Sequence, residues 1–273
     1  MNTKRRIACF FTAGYTELNA MKDFMKKINN TVEYIQLCPT RARRNKEQIR
    51  NRHSNQIDQN GITGEALINY IIDFVGKSCF QEEEYDAILI EDDKDNRFLT
   101  LQSDGGAVHD KTAWIEFKSK VRKRLGERCP DLPVIFFFAA PEVEAWFLAD
   151  FEHGFGSIYR SRLSTQQNKL FQVQFRKYIN EKILTDKYRD CIEQYGFFDG
   201  VYRKLSEQLQ NALNETDFLD TYSDKPEHQS IRYSKKIQGE AMLRSIEPEI
   251  IEPKCNYYFK EGFWALQSLG DTL

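Results

Sequence analysis

The densest cluster of carboxylates in the chain is Glu91, Asp92, Asp93 and Asp95, within the stretch Tyr85 to Arg97, YDAILIEDDKDNR. The cluster directly follows Ala87, Ile88, Leu89 and Ile90, a short apolar run of the kind that forms a strand covered on both faces. Like charges crowded onto one turn repel, so a fold that gathers them generally supplies a cation. Oxygen-only donors suit Mg2+ or Mn2+. Taken alone, the run also reads as a solvated acidic turn.

Two further carboxylate groups follow apolar β-type runs. Glu17 comes after Ile7 to Phe11 and a turn of Thr12, Ala13, Gly14, Tyr15 and Thr16; Glu142 and Glu144 come after Val134 to Phe138. Glu17 could simply start a helix, and Glu142 and Glu144 could favour the positive end of theirs. Open α/β sheets, however, gather their ligands outside the carboxyl ends of strands, and three separate strands here end in acids. The candidate metal ligands are therefore Glu17, Glu91, Asp93, Asp95, Glu142 and Glu144.

The elements that must position these residues follow from periodicity. After the first strand, Thr16 is expected to cap a helix through about Asn29, with Leu18, Met21, Met25 and Ile28 at helical spacing. Val32 to Leu37 is a second strand, and residues 38 to 60 form a polar, basic connection. Thr63 or Gly64 starts an amphipathic helix through Phe74, and the acidic strand follows. Asp104, Gly105 and Gly106 lie in a polar loop, Thr112 caps a basic helix to about Leu125, and Pro141 suits the first position of the helix PEVEAWFLAD. Alternating strands and helices predict an α/β domain over residues 1–150, an open and mostly parallel sheet flanked by helices. Residues 151–273 read as a helical C-terminal region, with a polar break at Thr221 to Gln229 and late helices over Ile231 to Ile246 and Asn256 to Leu269.

The 273 residues, 41% hydrophobic and 13% aromatic, suffice for a substantial core. No run approaches the roughly 18 consecutive apolar residues of a membrane span, and MNTKRRIACFF lacks the apolar core of a signal peptide, so a cytoplasmic, non-membrane protein is expected. Cys9, Cys38, Cys79, Cys129, Cys191 and Cys255 are scattered without a CxxC pair or a histidine at zinc spacing, and read as reduced thiols. None of His53, His109, His153 and His228 has a neighbour at a spacing that suggests chemistry. The net charge of -2 conceals basic runs that include Arg41, Arg43 and Arg44, and Lys120, Arg122 and Lys123. Basic stripes beside a carboxylate site suit a polyanion held next to a metal.

The order of GYTE after the first strand, the IEDDKD cluster, PEVEAWFLAD and a late YSKK resembles TOPRIM-fold proteins related to the overcoming-lysogenization-defect (OLD) nucleases, particularly small stand-alone TOPRIM-like proteins of bacteria. The resemblance covers most of residues 7–150 and the tail from about 233. It implies a divalent-metal-dependent nuclease, a hydrolase of DNA or RNA phosphodiesters with Mg2+ or Mn2+, acting in antiviral defence with an ABC-type ATPase partner. Gly14, Thr16 and Glu17 match the end of the first motif. The acidic pair corresponds to Glu91 and Asp93 or to Asp93 and Asp95, the former favoured because Glu91 directly follows the apolar run. Glu142 and Glu144 match the later E-x-E turn, and Lys235 or Lys236 the lysine. The implied catalytic set is Glu17, Glu91, Asp93, Glu142, Glu144 and Lys236, with Lys235 joining the basic runs in contacting nucleic acid.

One position departs from the family pattern. Ala13 stands where the motif has its leading glutamate and cannot bind a metal. Two readings follow: the nuclease, or a catalytically degenerate TOPRIM module that binds or senses, with the aromatic-rich C-terminal region as its docking surface. Nucleotidyl transfer is a weaker third, and the absence of a Walker-type glycine loop argues against an ATPase in this same chain.

Overall fold

The computed structural model of the chain describes residues 4–41, 60–215 and 233–270. In chain order, β1 (Arg6–Phe10) leads through a wide helical turn (Glu17–Met21) into α1 (Lys22–Ile28), then β2 (Glu33–Cys38), α2 (Gly64–Val75), a short α3 (Ser78–Gln81) and the acidic strand β3 (Ala87–Asp93). A small hairpin, β4 (Leu99–Leu101) and β5 (Ala107–His109), precedes α4 (Lys111–Gly126), β6 (Val134–Ala139) and α5 (Glu144–Ala149). The remainder is mostly helical: α6 (Thr165–Tyr178), α7 (Thr185–Tyr188), a two-residue-strand hairpin β7 (Phe197–Phe198) and β8 (Val201–Tyr202), α8 (Leu205–Glu215), α9 (Lys235–Ser245), α10 (Pro248–Ile251) and α11 (Tyr258–Gln267).

The molecule is mixed α/β, with a four-stranded, all-parallel sheet of order β2-β1-β3-β6 flanked by helices. β1 pairs with both neighbours, Ala8 standing opposite Ile35 on one side and Ile88 on the other. Ile7 to Phe10 and Ala87 to Ile90 are all fully buried, as central strands covered on both faces must be.

Two compact units interleave along the chain rather than dividing near residue 150. One consists of Met1–Asp92, Ile115–Phe138 and Gly262–Leu273; the other of Asp93–Trp114 and Ala139–Glu261. The first unit packs its sheet with aromatic side chains. Phe74 meets Phe10 edge-on at 5.6 Å, and Phe117 meets Phe136 and Phe138 at 6.1 and 5.8 Å. Gly262 is the close-approach point of α11 here, because a Cβ on it would lie 2.3 Å from the ring of Phe137. The second unit is built on a cluster of rings in which Phe171 stacks on Phe175 at 5.4 Å and Trp146 meets Phe259 at 5.2 Å. Glu193 is buried there and accepts from the backbone N–H groups of Tyr257, Tyr258 and Phe259 at 2.6, 3.0 and 3.1 Å, satisfying the donors at the start of α11.

Several local expectations change. Thr16 does not cap its helix: it is buried with helical dihedrals and makes no side-chain cap, and the first helical turn already begins where Leu18 N–H bonds Gly14 C=O at 3.0 Å. Asp110, not Thr112, caps α4, its Oδ1 accepting from Ala113 N–H at 2.9 Å. Helix α5 starts at Glu144, so Pro141 precedes it instead of occupying its first position. The loop around Asp104, Gly105 and Gly106 is the turn of the hairpin β4-β5. Among the described residues, no helix is long and apolar enough to cross a membrane.

Candidate functional site

In the first unit, Glu17 opens the helical turn that follows β1, whereas Glu91 lies within β3 rather than after it, because the strand runs on to Asp93; both are buried. The Glu17 carboxylate folds back against Gly14: a Cβ at position 14 would stand 2.2 Å from Glu17 Oε2, so the missing side chain makes room for the acid. Glu91 Oε2 accepts from Thr12 N–H at 3.1 Å. Asp92 is fully buried as well. Its Oδ1 accepts from the hydroxyls of Thr12 at 3.1 Å and Thr63 at 2.6 Å, and its Oδ2 from Gly64 N–H at 3.0 Å. These donors occupy both oxygens of the carboxylate and fasten the turn after β1 and the start of α2 to the end of β3. Ala13 is buried, and its backbone N–H and C=O pair with Ile62 and Gly61 at 3.0 and 2.9 Å. Ala13 is therefore a packing residue.

The second unit gathers the remaining acids. The chain passes from β3 into Lys94 and Asp95, whose N–H groups bond the carbonyls of Ala139 and Pro141 at 2.6 and 2.7 Å. Asp95 adopts a left-handed φ of 52°, which aspartate tolerates better than most residues. Asp93 Oδ1 accepts from Val143 N–H at 3.1 Å. Glu142, nearly buried, accepts from Ser206 N–H at 2.7 Å, where the positive end of α8 favours a carboxylate. Glu144 is fully buried.

Two lysines lie over these acids. Lys204 Nζ is 3.6 Å from Glu142 and 3.8 Å from Asp95, and Lys235 Nζ is 3.4 Å from Glu144 Oε2. Burial alone would lower the Lys204 ammonium, but the charges of Glu142, Asp95 and Asp93 outweigh it and hold its pKa above the ordinary lysine value. One cation thus feels three carboxylates, so Asp93, Asp95 and Glu142 form a single electrostatic cluster. Among the described residues, the buried hydroxyls of Tyr202 and Tyr233 have no hydrogen-bond acceptor. Both resist ionisation: burial, reinforced by Glu142, Asp95 and Asp93 at Tyr202 and by Glu144 at Tyr233, pushes their pKa values upward.

The motif lysine that reaches an acid is Lys235; Lys236 beside it is exposed on α9. Lys204 and Tyr202 carry no signal in the sequence, because they lie in and just after the short strand β8, roughly 110 residues beyond β3 and about 60 beyond Glu142. Lys94 was equally inconspicuous inside IEDDKD. It is fully buried, its ammonium has no hydrogen-bond acceptor among the described residues, and it lies 5.8 Å over the Tyr258 ring. Burial lowers its pKa to about 7, opposed by the charge of Glu193.

Three of the expected nucleic-acid contacts share one helix. Arg41 is exposed and bonds Asn19 at 3.1 Å; Lys120, Arg122 and Lys123 are exposed along α4; Arg43 and Arg44 lie outside the described residues. Among the described residues, no group of three or more His, Cys, Asp or Glu side chains is arranged to hold a metal ion. The donor chemistry of Asp93, Asp95, Glu142 and Glu144 nevertheless suits a hard divalent cation, and Lys204 and Lys235 now supply the neutralising charge such an ion would bring. No protein-family model, no curated protein and no solved structure matches the chain.

Proposed function

We propose that the protein is a divalent-metal-dependent nuclease of the TOPRIM type, in which Asp93, Asp95, Glu142 and Glu144 hold Mg2+ or Mn2+. The observation that carries the reading is the cluster of carboxylates under Lys204, which brings Asp93 and Asp95 from the end of β3 together with Glu142 from beyond β6. A bound metal lowers the pKa of a coordinated water and neutralises charge on a phosphodiester. The chain's own groups supply the rest. Lys204 and Lys235 are ammonium donors for non-bridging phosphate oxygens, able to leave Glu142 and Glu144 once a cation takes over the carboxylates. The hydroxyls of Tyr202 and Tyr233, kept protonated by their surroundings, can each donate one hydrogen bond to the same oxygens. Motif order extends the proposal to a role in antiviral defence beside an ABC-type ATPase.

A second reading has its own support. Ala13 is a packing residue and Glu91 is engaged by the Thr12 backbone, so the motifs of the first unit show structural duties. This favours a degenerate module that binds nucleic acid or a partner protein without cutting. Incubation of the purified protein with plasmid DNA and RNA plus Mn2+ separates the two. The nuclease reading expects cleavage that falls at least about a hundredfold in Glu144→Ala, the scale on which removal of one group stabilising transition-state charge is felt. No cleavage, alone or with a partner, would leave only the binding module.

A further inference from the structure

The second unit contains a cleft that shares no residue with the carboxylate cluster. Its deeper recess, about 490 Å3, has an apolar floor that includes Phe151, Ile179, Leu184 and Ile192, all buried. An adjoining recess of about 560 Å3 shares Glu152, Arg176, Asn180 and Arg189 with it, so both arginines stand where the two meet. These volumes fall within the range of small-molecule sites, and an apolar floor with a few polar groups is their usual composition.

The polar groups are held in place. Arg176 lies 4.5 Å over the ring of Phe151 and bonds Glu152 Oε1 at 2.7 Å, so its guanidinium is already oriented toward an anion. Among the described residues, Arg189 bonds only the highly exposed Asp186, at 2.7 Å, a pair of little energetic weight. His153 is fixed from behind: the buried carboxylate of Asp150 meets its Nδ1 at 2.9 Å and also accepts from Glu247 N–H at 2.8 Å. With Nδ1 engaged, Nε2 is left for a ligand. Asn180 and Asn256 add donors and acceptors to the wall.

Two arginines at one junction suit the dianionic phosphate of a monoester better than a single carboxylate. Beside them, an apolar floor of Ile179, Leu184 and Ile192 edged by the amides of Asn180 and Asn256 suits a heterocycle that needs both apolar contact and hydrogen bonds. We propose that this cleft binds a mononucleotide, its phosphate between Arg176 and Arg189 in the place the Glu152 carboxylate now partly fills, and its base over the apolar floor. The proposal does not depend on the nuclease reading. It also carries an unusual sign: Glu152 competes with the ligand, so removing its charge strengthens binding.

The test is calorimetric titration of AMP, GMP, CMP and UMP in EDTA, with inorganic phosphate as the control. It is run on the intact chain, on Arg176→Ala, Arg189→Ala and Glu152→Gln, and on Asp93→Asn/Glu144→Gln. At least one nucleotide is expected to bind more tightly than phosphate. Each arginine variant should weaken it about tenfold, the scale of one charge-assisted hydrogen bond, whereas Glu152→Gln tightens it and the carboxylate double variant leaves it unchanged. The proposal is overturned if no nucleotide binds better than phosphate, if both arginine variants bind normally, or if binding disappears in the carboxylate variant. That last result would put the nucleotide in the carboxylate cluster and leave the nuclease reading standing.

Discussion

Lys204 Nζ lies 3.6 Å from Glu142 Oε1 and is held above the usual lysine pKa by the acids around it. An ammonium in this position balances carboxylates that otherwise repel, and it competes with any metal for the same oxygens. Lys204→Ala is therefore expected to bind Mn2+ more tightly than the parent while cutting nucleic acid more slowly. Tighter binding without loss of cleavage would remove Lys204 from the phosphate site and leave it as a counter-ion only.

Asp92 and Asp93 are adjacent, yet their expected phenotypes are opposite. Asp92→Ala strands the hydroxyls of Thr12 and Thr63 and the Gly64 N–H, and should cost about 2–4 kcal/mol in denaturant unfolding. Asp93→Ala removes an acceptor of Val143 N–H, a loss of about 1 kcal/mol for that bond, and should abolish metal-dependent activity. Equal losses of stability in the two variants would contradict this division of labour.

Lys94 gives a pH dependence. Its pKa is lowered from the ordinary 10.5 to about 7 in the folded protein. Between those values the unfolded chain binds a proton that the folded chain does not, so stability rises with pH across the window by up to about 1.4 kcal/mol per unit from this residue. Below about 7 its burial penalty is fully present. Lys94→Met should raise the melting temperature at pH 6 and flatten the rise between pH 7 and 10; an unchanged profile would refute the assignment.

Gly262→Ala tests the packing of α11 in the first unit. The added Cβ would meet the Phe137 ring at 2.3 Å and Phe136 C=O at 3.0 Å, so a loss of about 1–3 kcal/mol is expected in thermal or denaturant unfolding. A neutral substitution would mean that the contact relaxes without cost.

The sheet was legible because β1, β3 and β6 each contain an uninterrupted run of at least four apolar residues, and no competing pattern produces Ile7 to Phe10 or Val134 to Ala139. The carboxylates after β3 and β6 were legible for the same reason, since they stand at strand ends. What spacing did not convey was the division of labour among Glu91, Asp92 and Asp93, because a residue's donors come from Thr12, Thr63 or Val143, far away in sequence. Lys204, Tyr202 and the His153–Asp150 pair were invisible for the same reason: polar residues on helices and short hairpins acquire roles only from tertiary neighbours. The hairpin strands β4, β5, β7 and β8, of two or three residues each, are too short for alternation to register.

The central claim is that the acids of the second unit hold a divalent cation, and calorimetric titration of Mn2+ into the metal-stripped protein tests it most directly. The account predicts saturable binding that disappears in Asp93→Ala and in Glu144→Gln, with both variants still cooperatively folded. Absence of binding in the parent chain, or binding untouched by either substitution, would contradict it.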